Sequence, residues 1–307
     1  MFGCNRGSKN SMDTNYLQVA LKNDTVIKDL CEVFNIRKDK NGYKAEFIDL
    51  RTGQKSTVSA PKMIIAAGGL NTLKLLFKAR KNKVDGLPLL SERVGYKWST
   101  NGDRAGFYWT WHKNLDHNYG TCLFKMQEIA SEKYEWDYHM FACRMGILGK
   151  PEWSPLSMVF NHLMPFLALT REEPIGRLYE DSKARLKMYY PAQQGHLKAM
   201  IMERRIAMEV DALGRGIDPK EKERKMARWS KFRPFIGITT VHPSGGAAIA
   251  EDIKDGVVDY KGEVFNYPGL FISDSSILPV ATFCGPHFTI AALSDYISRG
   301  IIAREKG

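Results

Sequence analysis

Residues 240–295 constrain this chain more than any other stretch, because they set two histidines in frames that no regular element tolerates. His242 is followed by Pro243, Ser244, Gly245 and Gly246. That string stays neither helical nor extended, and it predicts a turn with the imidazole at its mouth. His287 follows Gly285 and Pro286, and the pattern from Pro286 to Ala292 predicts the opening of a helix. Between the two frames, the run from Gly269 to Ser275 reads as a short apolar strand ending at Asp274. A strand that ends in Asp-Ser-Ser ahead of a helix suits the holding of a phosphate or a ribityl group.

A second strand–glycine–helix unit lies upstream. Lys62-Met-Ile-Ile-Ala-Ala-Gly68 is a continuous apolar strand, and Asn71 to Arg80 has the pattern of a helix. The glycines at 68 and 69 let backbone pass close to a dinucleotide, and they equally permit tight strand–helix packing. Before this unit, the sequence predicts a helical stretch near Asp13 to Leu21. Strands follow over Val26–Arg37, Gly42–Leu50 and Lys55–Val58, joined by Asn-Gly and Thr-Gly turns.

After Gly95 the character changes. Phe107, Tyr108, Trp109 and Trp111 crowd together, followed by Trp136, Tyr138, Phe141 and Trp153. The alternations Tyr108/Thr110/His112 and Met140/Ala142/Arg144 predict an antiparallel sheet with one face turned to a cavity. An apolar, aromatic wall of this kind suits a bulky hydrophobic ligand, and the same residues serve equally as ordinary core. Phe166–Thr170 and Ala184–Tyr190 read as two further strands linked through Pro174-Ile-Gly-Arg. Pro191 opens a long helix to about Leu213, and residues 214–233 are rich in Lys and Arg.

Composition excludes more than it selects. With 307 residues, 44% hydrophobic and 26% charged, the chain is long and apolar enough for a substantial core. The net charge of +11 is scattered, and the cluster at 220–225 alternates with Glu as a solvated helix face does. No nucleic-acid partner is expected. Five cysteines without CxxC or His/Cys spacing argue against a zinc site and against a disulfide framework, so no metal is expected. No apolar run approaches the roughly 18 residues of a membrane-spanning helix, and no transmembrane segment is expected.

The ordered set His242-Pro-x-Gly-Gly, Gly256-Val-Val-Asp259, Gly262-x-Val-Phe, Pro268-Gly-Leu-Phe-x-x-Asp274-x-Ser-x-x-Pro279, Pro286 and Thr289-Ile-x-Ala-Leu resembles the C-terminal part of the glucose-methanol-choline flavin oxidoreductases, and within them the cholesterol oxidase group. The resemblance implies a fold of the α/β (α+β) class. A partial FAD-binding, Rossmann-like domain over 1–93 and 249–307 would carry an antiparallel-sheet substrate domain over 94–248. It implies FAD as cofactor, with Val33 contacting the adenine end through its backbone and Gly68, Asp274, Ser275, Gly285 and Pro286 near the flavin. It also implies oxidation of the CH–OH group of an alcohol, with a hydrophobic or sterol-like substrate, and it sets His242 where the family has its active-site histidine. The family's second polar residue, His or Asn, is replaced here by Gly285. His287 stands two residues on, either as a substitute or as a contributor of backbone alone. Ala247 replaces the family's Cys. These departures keep a non-catalytic remnant or interaction subunit in view as the alternative.

One motif of that family is missing. No GxGxxG occurs in the 307 residues, although such flavoproteins cradle the pyrophosphate with a βαβ unit that carries it. The resemblance puts that unit ahead of the string with which this chain opens. The chain is therefore expected to correspond to roughly the C-terminal three-fifths of such a protein, either as a piece of a longer chain or as one part of a split protein with an N-terminal FAD-binding polypeptide as partner.

Overall fold

In the computed structural model, the described residues are 10–109, 123–129, 138–143, 163–170, 173–191, 240–282 and 284–306. A short helix, α1 (Tyr16–Lys22), leads into three antiparallel strands in the order β1 (Cys31–Asp39), β2 (Gly42–Asp49) and β3 (Lys55–Ala60). The β1–β2 hairpin closes at the Asp39–Gly42 pair and carries a register shift between Val33 and Asn35. β4 (Met63–Ile65) then leaves this sheet and pairs in parallel with β11 (Leu270–Ile272), so residues about two hundred positions apart lie side by side in register Met63↔Leu270 to Ile65↔Ile272.

Helix α2 (Gly68–Lys81) packs between these two sheets. Its residues Thr72, Leu73, Leu75, Leu76, Phe77 and Ala79 are buried. The apolar ones share a single hydrophobic core with Ile36, Tyr43 and Ala45 of the hairpin and with Ile65, Leu270, Phe271 and Ile272. Lys78, Arg80 and Lys81 fill the last turn, where positive charge offsets the negative end of the helix dipole. Tyr43 ties the hairpin to β11 by donating its hydroxyl to the Pro268 carbonyl at 2.9 Å. Burial, helped by the negative charge of Glu263, pushes its pKa up to about 12.

The middle of the chain forms a four-stranded antiparallel sheet in the order β5 (Arg104–Trp109), β8 (Leu163–Thr170), β7 (Tyr138–Cys143) and β6 (Leu123–Ile129). This is the antiparallel sheet the alternating pattern predicts. A two-stranded sheet of β9 (Arg177–Glu180) and β10 (Leu186–Tyr189) follows. β9 begins at Arg177, the last residue of the expected link, and runs on to Glu180 as a strand the sequence does not predict, because four residues straight after Gly176 are too few to show alternation. The helix expected from Pro191 to Leu213 and the basic stretch at 214–233 lie outside the described residues, as do His112, His117, His162 and His196. The chain ends in α3 (His287–Lys306), whose Ile297 is buried while Leu293 and Ile301 pack against the core. Among the described residues no helix is long and apolar enough to cross a membrane.

Candidate functional site

The turn after His242 is held from three directions. Ser244 pairs with Ser99 through both backbone bonds, at 2.9 and 3.1 Å. Gly245 and Ala247 donate to the carbonyls of Ser275 and Ser276, at 2.9 and 2.8 Å. Gly245, at φ 78, lies so close to the Lys97 carbonyl that a Cβ there would collide with it, which explains the glycine. The first turn of α2 abuts the same place, since a Cβ on Gly69 would meet the Pro243 carbonyl at 2.7 Å and Ser275 Oγ at 2.8 Å.

Asp103 faces the imidazole. Its carboxylate lies 2.8 Å (Oδ1) and 3.0 Å (Oδ2) from His242 Nδ1. Oδ2 also accepts from the backbone N–H groups of Val241 (2.8 Å) and His242 (3.1 Å) and from the Thr240 hydroxyl (2.9 Å). The Asp103 side chain is wholly buried, and that of His242 retains 22% exposure. A buried carboxylate needs such a set of donors to offset its lost hydration, and here all of them come from residues 240–242.

Two residues earlier, Asn101 performs the corresponding task for the second frame. Buried and at φ 61, it accepts from the Thr282 N–H (2.7 Å) and hydroxyl (3.1 Å) through Oδ1, and it donates Nδ2 to the Cys284 carbonyl (2.7 Å). The loop 99–103 thus fixes both histidine turns. At their meeting point is Gly285: a Cβ placed there would lie 3.9 Å from His242 Nε2 and 3.6 Å from His287 Nδ1, with no other heavy atom of the described residues within 4 Å, its chain neighbours aside. His287 is exposed and lies against Phe288, ring centroids 4.1 Å apart, at the start of α3.

Asp274 sits at the end of β11, as the sequence predicts, and caps α2. Its Oδ2 accepts from Gly68 N–H (3.0 Å) and the Thr72 hydroxyl (2.5 Å), and its Oδ1 from Ser276 N–H (2.8 Å). Ala67, at the N-cap position, has no side-chain oxygen to offer, so the acidic cap comes from another strand. At Gly68 (φ 82) the place a Cβ would take has no heavy atom of the described residues within 4 Å beyond its chain neighbours, and Ser276 Oγ is buried with no hydrogen-bond partner among the described residues. The open faces of Gly68 and Gly285 and this idle hydroxyl fit the close approach of a planar ring with a polyol tail.

His242, His287, Gly285 and Pro286 therefore converge, and through Gly69, Pro243 and Ser275 they adjoin Gly68 and Asp274. Val33 does not join them. It lies on β1 beside Phe34, whose carbonyl accepts from Lys78 Nζ in the last turn of α2 at 2.7 Å. Sequence reasoning missed the roles of Asp103 and Asn101. Their signal is weak, a run of small polar residues (Ser99-Thr-Asn-Gly-Asp103) ahead of an aromatic strand. The aromatic wall expected over 107–153 involves side chains outside the described residues. Among the described residues no group of three or more His, Cys, Asp or Glu could hold a metal ion.

Family models described as GMC oxidoreductase match residues 1–81 and 179–294, together more than half of the chain. A cholesterol oxidase of Acinetobacter baumannii is 28% identical across 96% of this chain and 58% of its own length. A cholesterol oxidase of Mycobacterium tuberculosis is 24% identical across 96% of this chain and 56% of its own. The chain thus spans less than two thirds of the curated relatives it matches. Among solved structures, pyridoxine 4-oxidase from Mesorbium loti superposes with a TM-score of 0.58 at 17% identity, covering 88% of this chain and 57% of that one. An FAD-dependent oxidoreductase from Chaetomium thermophilum gives 0.59 at 13% identity, covering 96% and 64%. At such identities the two structures speak for the fold. With both family models matching in order along a fold of this kind, the chain belongs to the GMC oxidoreductases, a family of FAD-dependent flavoproteins.

Proposed function

We propose that this chain forms the substrate side and part of the flavin side of an oxidoreductase that oxidises the CH–OH group of a bulky, hydrophobic, sterol-like alcohol. The observation that carries the reading is the meeting of His242 Nε2 and His287 Nδ1 at Gly285, beside the turns of Gly68 and Asp274. The sterol-like substrate is supported by the cholesterol oxidase relatives and by the aromatic stretch after Gly95. Gly68, Asp274, Ser275, Gly285 and Pro286 would hold FAD near its ring, and Val33 would meet its adenine end. Gly68 and Lys78 lie ~15 Å apart along α2, which suits an extended dinucleotide running from the histidine turns toward β1. When bound, the flavin would take the hydride from the carbinol carbon. His242 accepts the hydroxyl proton at Nε2, and His287 supplies either a second imidazole or only backbone beside it. Residues 1–93 and 249–307 would make the flavin layer, and 94–248 the substrate domain.

A GxGxxG-bearing βαβ unit on a partner polypeptide would complete the cofactor site. A second reading, a remnant that keeps the fold without turning over, is favoured by Gly285 and Ala247, which lack the side chains the family uses there. Absorbance at flavin wavelengths, for the chain alone and with such a partner, separates the two. In the loaded protein, anaerobic mixing with cholesterol should bleach the flavin. His242→Asn should slow that bleaching on the order of 10²-fold or more while the flavin stays bound. An unchanged rate in the variant would remove His242 from the reaction, and no flavin in either preparation would favour the remnant.

A further inference from the structure

We infer that Asp103 is the positioning residue for His242, holding the imidazole in the tautomer with its hydrogen on Nδ1 so that the Nε2 lone pair faces the space at Gly285 and His287. The inference rests on the reading of His242 as the proton-handling group, and it adds the residue that sets which ring nitrogen does the handling.

The donors around the carboxylate decide the tautomer. Oδ2 receives the backbone N–H groups of Val241 and His242, which can only donate, together with the Thr240 hydroxyl. Oδ1 is left for the ring, 2.8 Å from Nδ1. Carboxylate oxygens offer lone pairs, so Nδ1 supplies the hydrogen of this bond. A neutral imidazole carries one N–H, and Nε2 is then the acceptor, within 3.9 Å of a Cβ placed on Gly285. Because Asp103 is fully buried and its donors belong to the backbone beside His242, the ring cannot rotate away without stripping the carboxylate of its partner.

Asp103→Asn turns this geometry into a test. The two backbone donors require an oxygen at the Oδ2 position, so the amide NH₂ takes the Oδ1 position and points at Nδ1, while the Thr240 hydroxyl has the Thr100 carbonyl as a second acceptor at 2.9 Å. The ring must then accept there and carry its hydrogen on Nε2, where it can no longer take a proton from an alcohol. The ring nitrogens of His242 are read by ¹⁵N NMR on histidine-labelled chain at alkaline pH, with the signals assigned by their loss in His242→Asn. The expected result is a protonated Nδ1 and a bare Nε2 in the unmutated chain, exchanged in Asp103→Asn. In the flavin-loaded protein the same variant should slow reduction by cholesterol about as much as His242→Asn does, on the order of 10²-fold or more, in the direction of the ~10⁴-fold loss seen when a hydrolase histidine is held in the wrong tautomer.

Exchange of the two signals without loss of rate upholds the role of Asp103 and counts against His242 as the base. A protonated Nε2 in the unmutated chain, or a tautomer unchanged by Asp103→Asn, overturns the inference. If the variant fails to fold, the spectrum of the unmutated chain still decides.

Discussion

Gly285 stands where the resembled family would set a His or Asn, and the structure places it between the two histidine rings. The open position lies between two imidazole nitrogens, and among the described residues, its chain neighbours aside, no other heavy atom comes within 4 Å of a Cβ there. Its φ is not in the left-handed region, so a Cβ meets neither strain nor a described neighbour in clash. Gly285→Asn should therefore change stability by less than about 1 kcal/mol. The new amide would sit within hydrogen-bond reach of both rings, and flavin reduction by alcohol should rise on the order of tenfold. Anaerobic stopped-flow absorbance measures it; a fall in rate would mean that the space is filled by substrate. His242 was legible in the sequence because Pro243, Gly245 and Gly246 mark its turn locally. Asp103 was not, because its meaning arises from a partner 139 positions away. In the sequence, Asn-Gly-Asp resembles only the family's entry to the substrate domain and carries no sign of a carboxylate that pairs with His242.

At the scale of elements, the sequence shows strand–glycine–helix units but not what ends them. α2 begins at Gly68, three residues before the expected Asn71, because Asp274 reaches across from the end of β11 to cap it. No local pattern carries that bond. The expected strand over 62–68 is likewise cut to Met63–Ile65, where the pairing with β11 stops. The far end of α3 is tied back by Arg304, which pairs with Glu263 Oε2 at 2.7 Å while Gly269 N–H donates to Oε1 at 2.8 Å. Burial raises the pKa of Glu263, but the Gly269 bond and the Arg304 charge outweigh it and hold it below the ordinary glutamate value. A lowered folded-state pKa gives stability that is present above the unfolded value and lost as pH falls through the folded one. Urea unfolding between about pH 5 and about pH 3 should show that loss, and Glu263→Gln should reduce its slope. An identical slope in the variant would assign the acid sensitivity to other carboxylates.

For the whole molecule, the parallel pair β4–β11 is the telling feature. Gly262–Val264 covers the outer edge of β11, through Val264 N to the Leu270 carbonyl (2.8 Å) and Ile272 N to the Gly262 carbonyl (2.9 Å). Among the described residues β4 has β11 as its one strand partner, and its Ile64 is 49% exposed. Parallel strands are ordinarily buried on both faces inside larger sheets. A polypeptide with a GxGxxG βαβ unit should therefore add a strand at β4. Hydrogen exchange at residues 63–65 should slow on mixing, and the two chains should co-elute; amides already protected in the chain alone would rule the edge out as the docking place. Only the pairing of β4 with β11 shows which strand edge is unpaired among the described residues.

The loop 99–103 has a consequence for heredity as much as for chemistry. Through Asp103 and Asn101 it grips turns that begin 137 and end 183 positions downstream, so a lesion in any of the three segments is felt by the other two. In a random-mutagenesis screen, second-site suppressors of Asp103 or Asn101 lesions should map to 240–242 and 282–285. Stretches remote along the gene would then be inherited as one functional unit.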